Sequence, residues 1–466
     1  MISTTLDWIA DKIGGSLFGL NLTVSNVSID TRTIASGEVF IALTGPNFDG
    51  HKFVENAMKK GAVAAVVERR LPLDIPQILV KDTRIGLGKL GAAVKAQVNP
   101  KTVGITGSCG KTTVKEMVAA ILSCRGNVLA TNGNFNNDIG VPLTLLRLEN
   151  KHDFAVVEMG ANHLGEIAYT CDLVQPDVST IVNAAISHLE GFGTLLGVAR
   201  AKSEIFKGLQ QGAIAILNQD SQFYEFWKGK AAHVTQQSFA LGAEGADYRA
   251  EEITLGMDGR PQFNLITPEG SIWVHLQMPG MHSVSNALVA AALSLSVGAT
   301  LEDIKLGLQQ MQQIGGRLNI KQLTSQVRLL DDTYNANVAS VNAAIDLLSS
   351  FSGRRVLILG DMAELGEKAR FYHEQVGEYA LNSGVDRLYS LGELSFHSSY
   401  VLDNKGKHFH DIEKLVNALR ADFAHEKCDI SILVKGSRSS KMERVVTALE
   451  GSPVGKLDRN RESMAC

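Results

Sequence analysis

Cysteine is scarce: Cys109, Cys124, Cys171, Cys428 and Cys466 are the only five in 466 residues. They are odd in number, scattered and free of CxxC spacing, which excludes a disulfide framework or cysteine-bound zinc and fits reduced cytosolic thiols. An excess of one charge is also missing. Lys+Arg number 45 and Asp+Glu 49, a net charge of -4, so the chain lacks the basic face that nucleic-acid binding by counterion release requires. Long apolar runs are lacking as well. The most apolar stretch, NALVAAALSLSVGATL at 286–301, falls short of the ~20 residues of a bilayer span. It reads as a buried helix, and no membrane insertion is expected. The N-terminal stretch places Asp7 and Asp11 in an amphipathic period where a signal peptide would have a basic start and an apolar block, so the chain is expected to stay in the cytoplasm. No internal repeat or low-complexity tract is visible, and the polar end with its terminal Cys466 forms no prenylation box.

Apolar residues make up 45% and charged residues 20% of the chain, a composition that buries ordinary cores. At about 150 residues per domain the length predicts three domains. Short apolar runs alternate with helical patterns, which indicates α/β architecture with parallel sheets. The predicted divisions are a small α/β domain at 1–82, a central domain at 83–314 and a Rossmann-like domain at 315–466. Between Ile253 and Met278, alternation of Phe263, Leu265, Ile272, Val274 and Leu276 suggests an antiparallel insertion.

Chemistry is concentrated where the strand-like TVGIT runs into Thr106-Gly107-Ser108-Cys109-Gly110-Lys111-Thr112-Thr113 and then a helical pattern. Glycines there let backbone N–H groups face phosphate oxygens, Lys111 can neutralise phosphate charge, and Thr112 can ligate Mg²⁺. The strict P-loop spacing wants Gly where Ile105 stands, and Gly104 lies one residue too early. Glu158 ends the apolar run FAVVEMG, where a strand-end acid beside a P-loop can hold Mg²⁺. His188 and Lys202 are candidates through their order along the chain; taken singly, such a His is usually structural and such a Lys a surface charge.

TGSCGKTT, TNGNFNNDIGVPLTLL, EMGAN, NAAISHLEGFGT, ARAKSEIF, MHSVSNALVAAA, GGRL, DDTYNAN and VKGSRSSKME occur in an order that resembles the Mur ligases, over about Asp30 to Glu443. The family's loop, TG[ST]xGK[ST], accounts for the odd spacing. Cys109 departs from the Asn common there, and Val338 from a usual Pro; Cys109 would make the site sensitive to thiol reagents. DGH near Gly50, NFNN, DTYNAN and KGSR favour the branch that joins D-alanyl-D-alanine to a UDP-linked muramoyl tripeptide.

The resemblance implies an ATP-dependent, ADP-forming amide ligase acting through an acyl phosphate, a step of peptidoglycan precursor synthesis, carried out by a monomer. Lys111, Glu158, His188 and Lys202 would be catalytic. Two Mg²⁺ ions would sit on Thr112, Glu158, His188 and Lys202, the lysine carbamylated so that it offers oxygens. Asn286 and His282 would meet adenine, Arg317 and Asp332 phosphate and ribose. Thr31, Arg32, Asn47, Phe48, Asp49 and His51 would bind uridine, although Asn47 to Gly50 also suit a plain turn. Asn134, Asn136 and Asn137 would face the muramoyl peptide, and Lys435, Ser437 and Arg438 a substrate carboxylate. Another ligase of this architecture, acting on a folylpolyglutamate-like acceptor or a different muramoyl peptide, is the near alternative. A P-loop nucleotide switch is the distant one; it would need a guanine-reading NKxD motif downstream of the P-loop, and none is expected in this chain.

Overall fold

The structure, a computed structural model, describes residues 1–187, 189–312 and 314–451. Leu6, Ile9, Ala10 and Ile13 fall on one face of the helix Leu6–Ile13, and that face is buried. Thr5 caps the helix by accepting from the Trp8 N–H, and Gly14 ends it at φ 70°, the pairing of hydroxyl start and left-handed glycine stop that satisfies free backbone groups. It packs on a five-stranded sheet ordered Ser16–Phe18, Gln77–Leu79, Ala64–Val67, Val39–Ile41, Val27–Ser28. The first pair is antiparallel and the others parallel. TGPNFDGH forms a tight hairpin, Thr44–Gly45 against Phe48–Asp49.

Six parallel strands build the central sheet, in the order Val128–Ala130, Phe154–Glu158, Lys101–Thr106, Val178–Ile181, Ile214–Asn218, Thr235–Phe239. Phe154–Glu158 and Val178–Ile181 are buried throughout, as strands covered on both faces must be. The two-residue period sends Val156 and Ile216 to one core and Ala155, Val157 and Leu217 to the other. The first of these cores receives Val114, Met117, Val118 and Ile121 of the helix Lys111–Ser123, with Val284 and Leu288 behind them. The second is continuous with the N-terminal core through Leu87, Leu90 and Val94 of the helix Thr83–Val98. Burying each such aliphatic side chain contributes about 1.5–3 kcal/mol.

The expected antiparallel insertion is a three-stranded sheet, Arg249–Leu255, Pro261–Thr267 and Gly270–His275. The apolar run at 286–301 is not one helix. Met281–Ser296 stops before Gly298, at φ 98°, and Thr300 with Asp303 forms a capping box that starts Leu301–Gln310. A left-handed glycine and a reciprocal cap override the hydrophobic continuity.

The third sheet runs Asn319–Gln322, Val327–Asp332, Ile430–Lys435, Arg354–Gly360, Arg387–Leu391, Gly406–Phe409, with the first strand antiparallel to its neighbour and the rest parallel. Ile430–Lys435, last in the chain, inserts between the first two parallel strands. Such a reversal of strand order opens a crevice at the carboxyl ends, and Asp332 and Lys435 stand there side by side in register.

Candidate active site

The strand Lys101–Thr106 lies between Phe154–Glu158 and Val178–Ile181, pairing Ile105 with Glu158 and Thr106 with Ile181. Its loop therefore emerges flanked by Glu158 on one side and Asn183 on the other. Asn183 holds the loop open: its carbonyl accepts the Ser108 N–H at 3.0 Å and its side-chain oxygen the Cys109 N–H at 2.9 Å. Ser108 Oγ donates to the Ala185 carbonyl at 3.2 Å and accepts from Ser187 Oγ at 3.0 Å. Gly110 turns the chain into the helix at φ 78°, and a Cβ there would meet Asn286 Oδ1 at 2.7 Å. No other residue type fits that corner without strain.

The helix Lys111–Ser123 begins with no side-chain cap, so the N–H groups of its first turn, at the positive end of the helix dipole, are free to bind an anion. Among the described residues the buried hydroxyl of Thr106 has no hydrogen-bond partner, and neither has Nε of Arg317. Lys111 Nζ donates to the Gly107 carbonyl at 2.7 Å, folded back onto the loop. Free donors and cations converge here, a set that would suit a polyphosphate.

Glu158 is 2% exposed, and its two oxygens accept from Thr112 Oγ1 at 2.9 Å and Asn136 Nδ2 at 2.8 Å. Thr112 Oγ1 accepts in turn from Arg317 Nη2 at 3.0 Å, a contact that crosses from the third unit. A hydroxyl and a carboxylate side by side form a hard oxygen pair suited to Mg²⁺, and Arg317 lies over it. Lys202, in the last turn of Leu195–Ser203, is also 2% exposed. Burial, and then the neighbouring Lys111, pushes its ammonium from the ordinary 10.5 down to about 7, with Cys109 and Glu158 pulling the other way. His188 lies outside the described residues.

Other predicted residues are distributed as follows. Asn137 Oδ1 accepts the Gly140 N–H at 2.8 Å, anchoring the start of Gly140–Leu145, while Asn134 is exposed. Thr113 is buried in the first turn of the P-loop helix. Half-buried His282 is held below its ordinary pKa by desolvation, opposed by Asp332 of the third unit. Asp332 and Lys435, assigned separately to nucleotide and peptide, meet in an ion pair at 2.5 Å, with Lys435 also donating to the Asn335 carbonyl at 2.9 Å. Ser437 Oγ lies 3.0 Å from Ser439 Oγ and Ser440 Oγ. Arg438 pairs with Glu443 at 3.3 Å.

In the N-terminal unit, Arg32 clasps Asp30 through Nε at 3.0 Å and Nη2 at 2.7 Å, holding that carboxyl well below its usual range. The Thr31 carbonyl accepts from Lys60 at 2.8 Å. Asn47 and Phe48 stand exposed at the hairpin tip. Asp49 is held down by Arg69 and His51. His51 is buried, with Nδ1 on Asp49 at 2.6 Å and Nε2 accepting the Glu68 N–H at 2.8 Å. Both its ring nitrogens are thus engaged within the protein, where they shape the loop.

Three residues of the site escaped the sequence reading. Besides Asn183, Tyr334 presents its ring to Arg317 at 4.2 Å and to Arg438 at 6.0 Å. Asn337 caps the helix Val338–Ser349 while its Nδ2 lies 3.0 Å from Cys109 Sγ, so the unusual loop cysteine touches the third unit. Asn150-Lys151-His152-Asp153 spells NKxD, the motif a nucleotide switch would need. It precedes Phe154–Glu158, at the amino ends of the strands and opposite the P-loop. Lys151 pairs there with Glu149 at 2.8 Å, and Asp153 accepts the Asn127 N–H at 2.8 Å, so it reads no base.

The fold and this site are those of a P-loop enzyme, with Thr112 and Cys109 of the loop region met by Arg317 and Asn337 from the third unit. Three family models match the chain: "Mur ligase family, catalytic domain" over residues 23–107, "Mur ligase middle domain" over 105–294 and "Mur ligase, glutamate ligase domain" over 316–438. The chain belongs to the Mur ligase family. It is 48% identical over 450 residues to UDP-N-acetylmuramoyl-tripeptide--D-alanyl-D-alanine ligase of Escherichia coli K12, covering 97% of this chain and 99% of that one. A solved UDP-N-acetylmuramoylalanyl-D-glutamyl-2,6-diaminopimelate--D-alanyl-D-alanyl ligase from Acinetobacter baumannii superposes with TM-score 0.86 at 36% identity, over 97% of this chain and 99% of that. A MurF ligase from Thermotoga maritima in complex with ADP gives TM-score 0.81 at 28% identity, over 92% and 97%.

Proposed function

We propose that this chain joins D-alanyl-D-alanine to UDP-N-acetylmuramoyl-tripeptide at the expense of ATP, giving ADP, phosphate and the UDP-linked pentapeptide of peptidoglycan synthesis. The near full-length 48% identity to the Escherichia coli enzyme of that name carries this reading. In this reading residues 1–82 hold UDP, 83–314 hold ATP, and 315–466 close over ATP and the dipeptide.

A carboxylate is too poor an electrophile to react with an amine. Its oxygen first attacks the γ-phosphorus, and the bond to the ADP oxygen breaks. The dipeptide nitrogen then attacks the acyl carbon, phosphate leaves with its bridging oxygen, and the nitrogen loses a proton. Both steps depend on positioning and charge neutralisation. The loop N–H groups and Thr106 orient the phosphates, and Lys111 exchanges the Gly107 carbonyl for phosphate oxygen. Arg317, braced on Tyr334, adds a cation from the third unit. Asn136 aims Glu158. Thr112 and Glu158 would hold one Mg²⁺, and His188 with Lys202 a second; when bound, such ions neutralise charge between the phosphates and the acceptor. Adenine falls beside Asn286 and His282, and uridine beside Thr31, Arg32, Asn47 and Phe48.

Lys202 fits carbamylation because an amine held near pKa 7 is in part neutral at physiological pH, and the neutral amine adds to CO₂, releasing a proton. Intact-protein mass spectrometry in bicarbonate should detect one added CO₂, lost in Lys202→Ala; an unmodified wild type removes the assignment. No helix among the described residues is long and apolar enough to cross a membrane. Incubation with ATP and both peptide substrates should yield a product of their combined mass less one water. Product formed only from folate and glutamate would instead support the folylpolyglutamate alternative.

A further inference from the structure

A cleft of about 570 Å³ lies between the central and third units, with an apolar floor that includes Ile186, Leu189 and Leu365 and a rim carrying Glu190, Glu367 and Lys368. The units close on each other along this line. The Leu189 N–H donates to the Glu364 carbonyl at 3.0 Å, Ile186 packs into the third unit's core, and a Cβ on Gly366 would lie 3.8 Å from Cγ of Glu190. Ser187, one residue beyond Ile186, touches Ser108 of the P-loop at 3.0 Å. The lining of the cleft is therefore one residue removed from a direct contact with the P-loop.

We propose that this cleft receives the side chain of the third residue of the acceptor peptide, and that Lys368, with Glu190 and Glu367, reads a zwitterionic side-chain end of the diaminopimelate type. The inference rests on the function proposed above. The carboxylate to be phosphorylated and that side chain leave the same Cα, so the side chain must lie within a few bonds of the P-loop. The volume is that of a ligand cleft, which typically runs from about 300 to 1,000 Å³. The incoming dipeptide has two methyl side chains, which would leave most of the floor uncovered and set its carboxylate against two glutamates. A methylene chain covers the apolar floor, an ammonium meets the two acids, and a distal carboxylate meets Lys368. A lysine side chain satisfies the acids but brings no carboxylate to Lys368.

The test is steady-state kinetics of the full chain with ATP, D-alanyl-D-alanine and UDP-muramoyl tripeptides ending in diaminopimelate or in lysine. Lys368→Met should raise KM for the diaminopimelate peptide about tenfold, the effect of losing one charge-assisted hydrogen bond. KM for the lysine peptide, ATP and the dipeptide, and kcat, should stay unchanged. Glu367→Gln should raise KM for both tripeptides. Equal KM changes with both peptides in Lys368→Met, no change at all, or a rise confined to the dipeptide would overturn the assignment. A wild-type chain that turns over neither tripeptide would overturn it together with the function on which it rests.

Discussion

Gly110 shows how one residue is dictated from two directions. Its φ of 78° belongs to the left-handed region, and Asn286 Oδ1 lies 2.7 Å from where a Cβ would be. Gly110→Ala should therefore abolish ATP binding, measured calorimetrically, while the melting temperature shifts little; retained affinity would refute the tight-corner account. Lys202 raises a question of sign. Its folded pKa of about 7 lies below the ordinary 10.5, so between those values the unfolded chain binds the extra proton and stability rises with pH. Below about 7 both states are protonated and the buried charge exerts its full cost. In CO₂-free buffer without nucleotide, Lys202→Met should be more stable relative to wild type at pH 7 than at pH 10. A difference in melting temperature that does not vary with pH would contradict the burial effect.

At the scale of elements, the P-loop helix is held from behind by Leu301–Gln310, where a Cβ on Gly307 would fall 2.5 Å from Ile121 Cα. Gly307→Val should destabilise the chain by about 1–3 kcal/mol through overpacking, seen as a lower denaturant midpoint; an unchanged midpoint would show that the helices part freely. The loop from Thr106 to Thr113 was legible in the sequence because its chemistry is contiguous backbone, and the central strands because their apolar runs are unbroken. The stop at Gly298 was hidden inside an apolar run, since only the φ of that glycine and the Thr300 cap reveal it. Asn183, Tyr334 and Asn337 lie within NAAISHLEGFGT and DDTYNAN, but their roles were illegible for a different reason. Asn183 and Asn337 act on Cys109 from 74 and 228 positions away, and Tyr334 takes Arg317 and Arg438 from two separate stretches of the third unit; a single Asn or Tyr carries no local pattern announcing such contacts. The Asp332–Lys435 pair likewise follows from strand register, which no linear motif encodes.

For the whole molecule, a net charge of -4 and anionic substrates mean that attraction has to be local. In the proposed function the loop donors, Lys111 and Arg317 would supply it, and Arg317 meets the central unit through its contact with Thr112. The Cys109–Asn337 contact crosses the same boundary. On that proposal phosphate binding would be coupled to unit closure, and Arg317→Ala should lower kcat at least about a hundredfold, the usual cost of removing a donor to developing charge. Unchanged kcat with a raised KM for ATP would assign Arg317 to ground-state binding alone. The most direct test of the central claim is phosphate release from ATP by the purified chain with each peptide substrate alone and with both together. Sustained release is predicted only when UDP-muramoyl-tripeptide and D-alanyl-D-alanine are both present. Equal release with either substrate omitted would contradict the account.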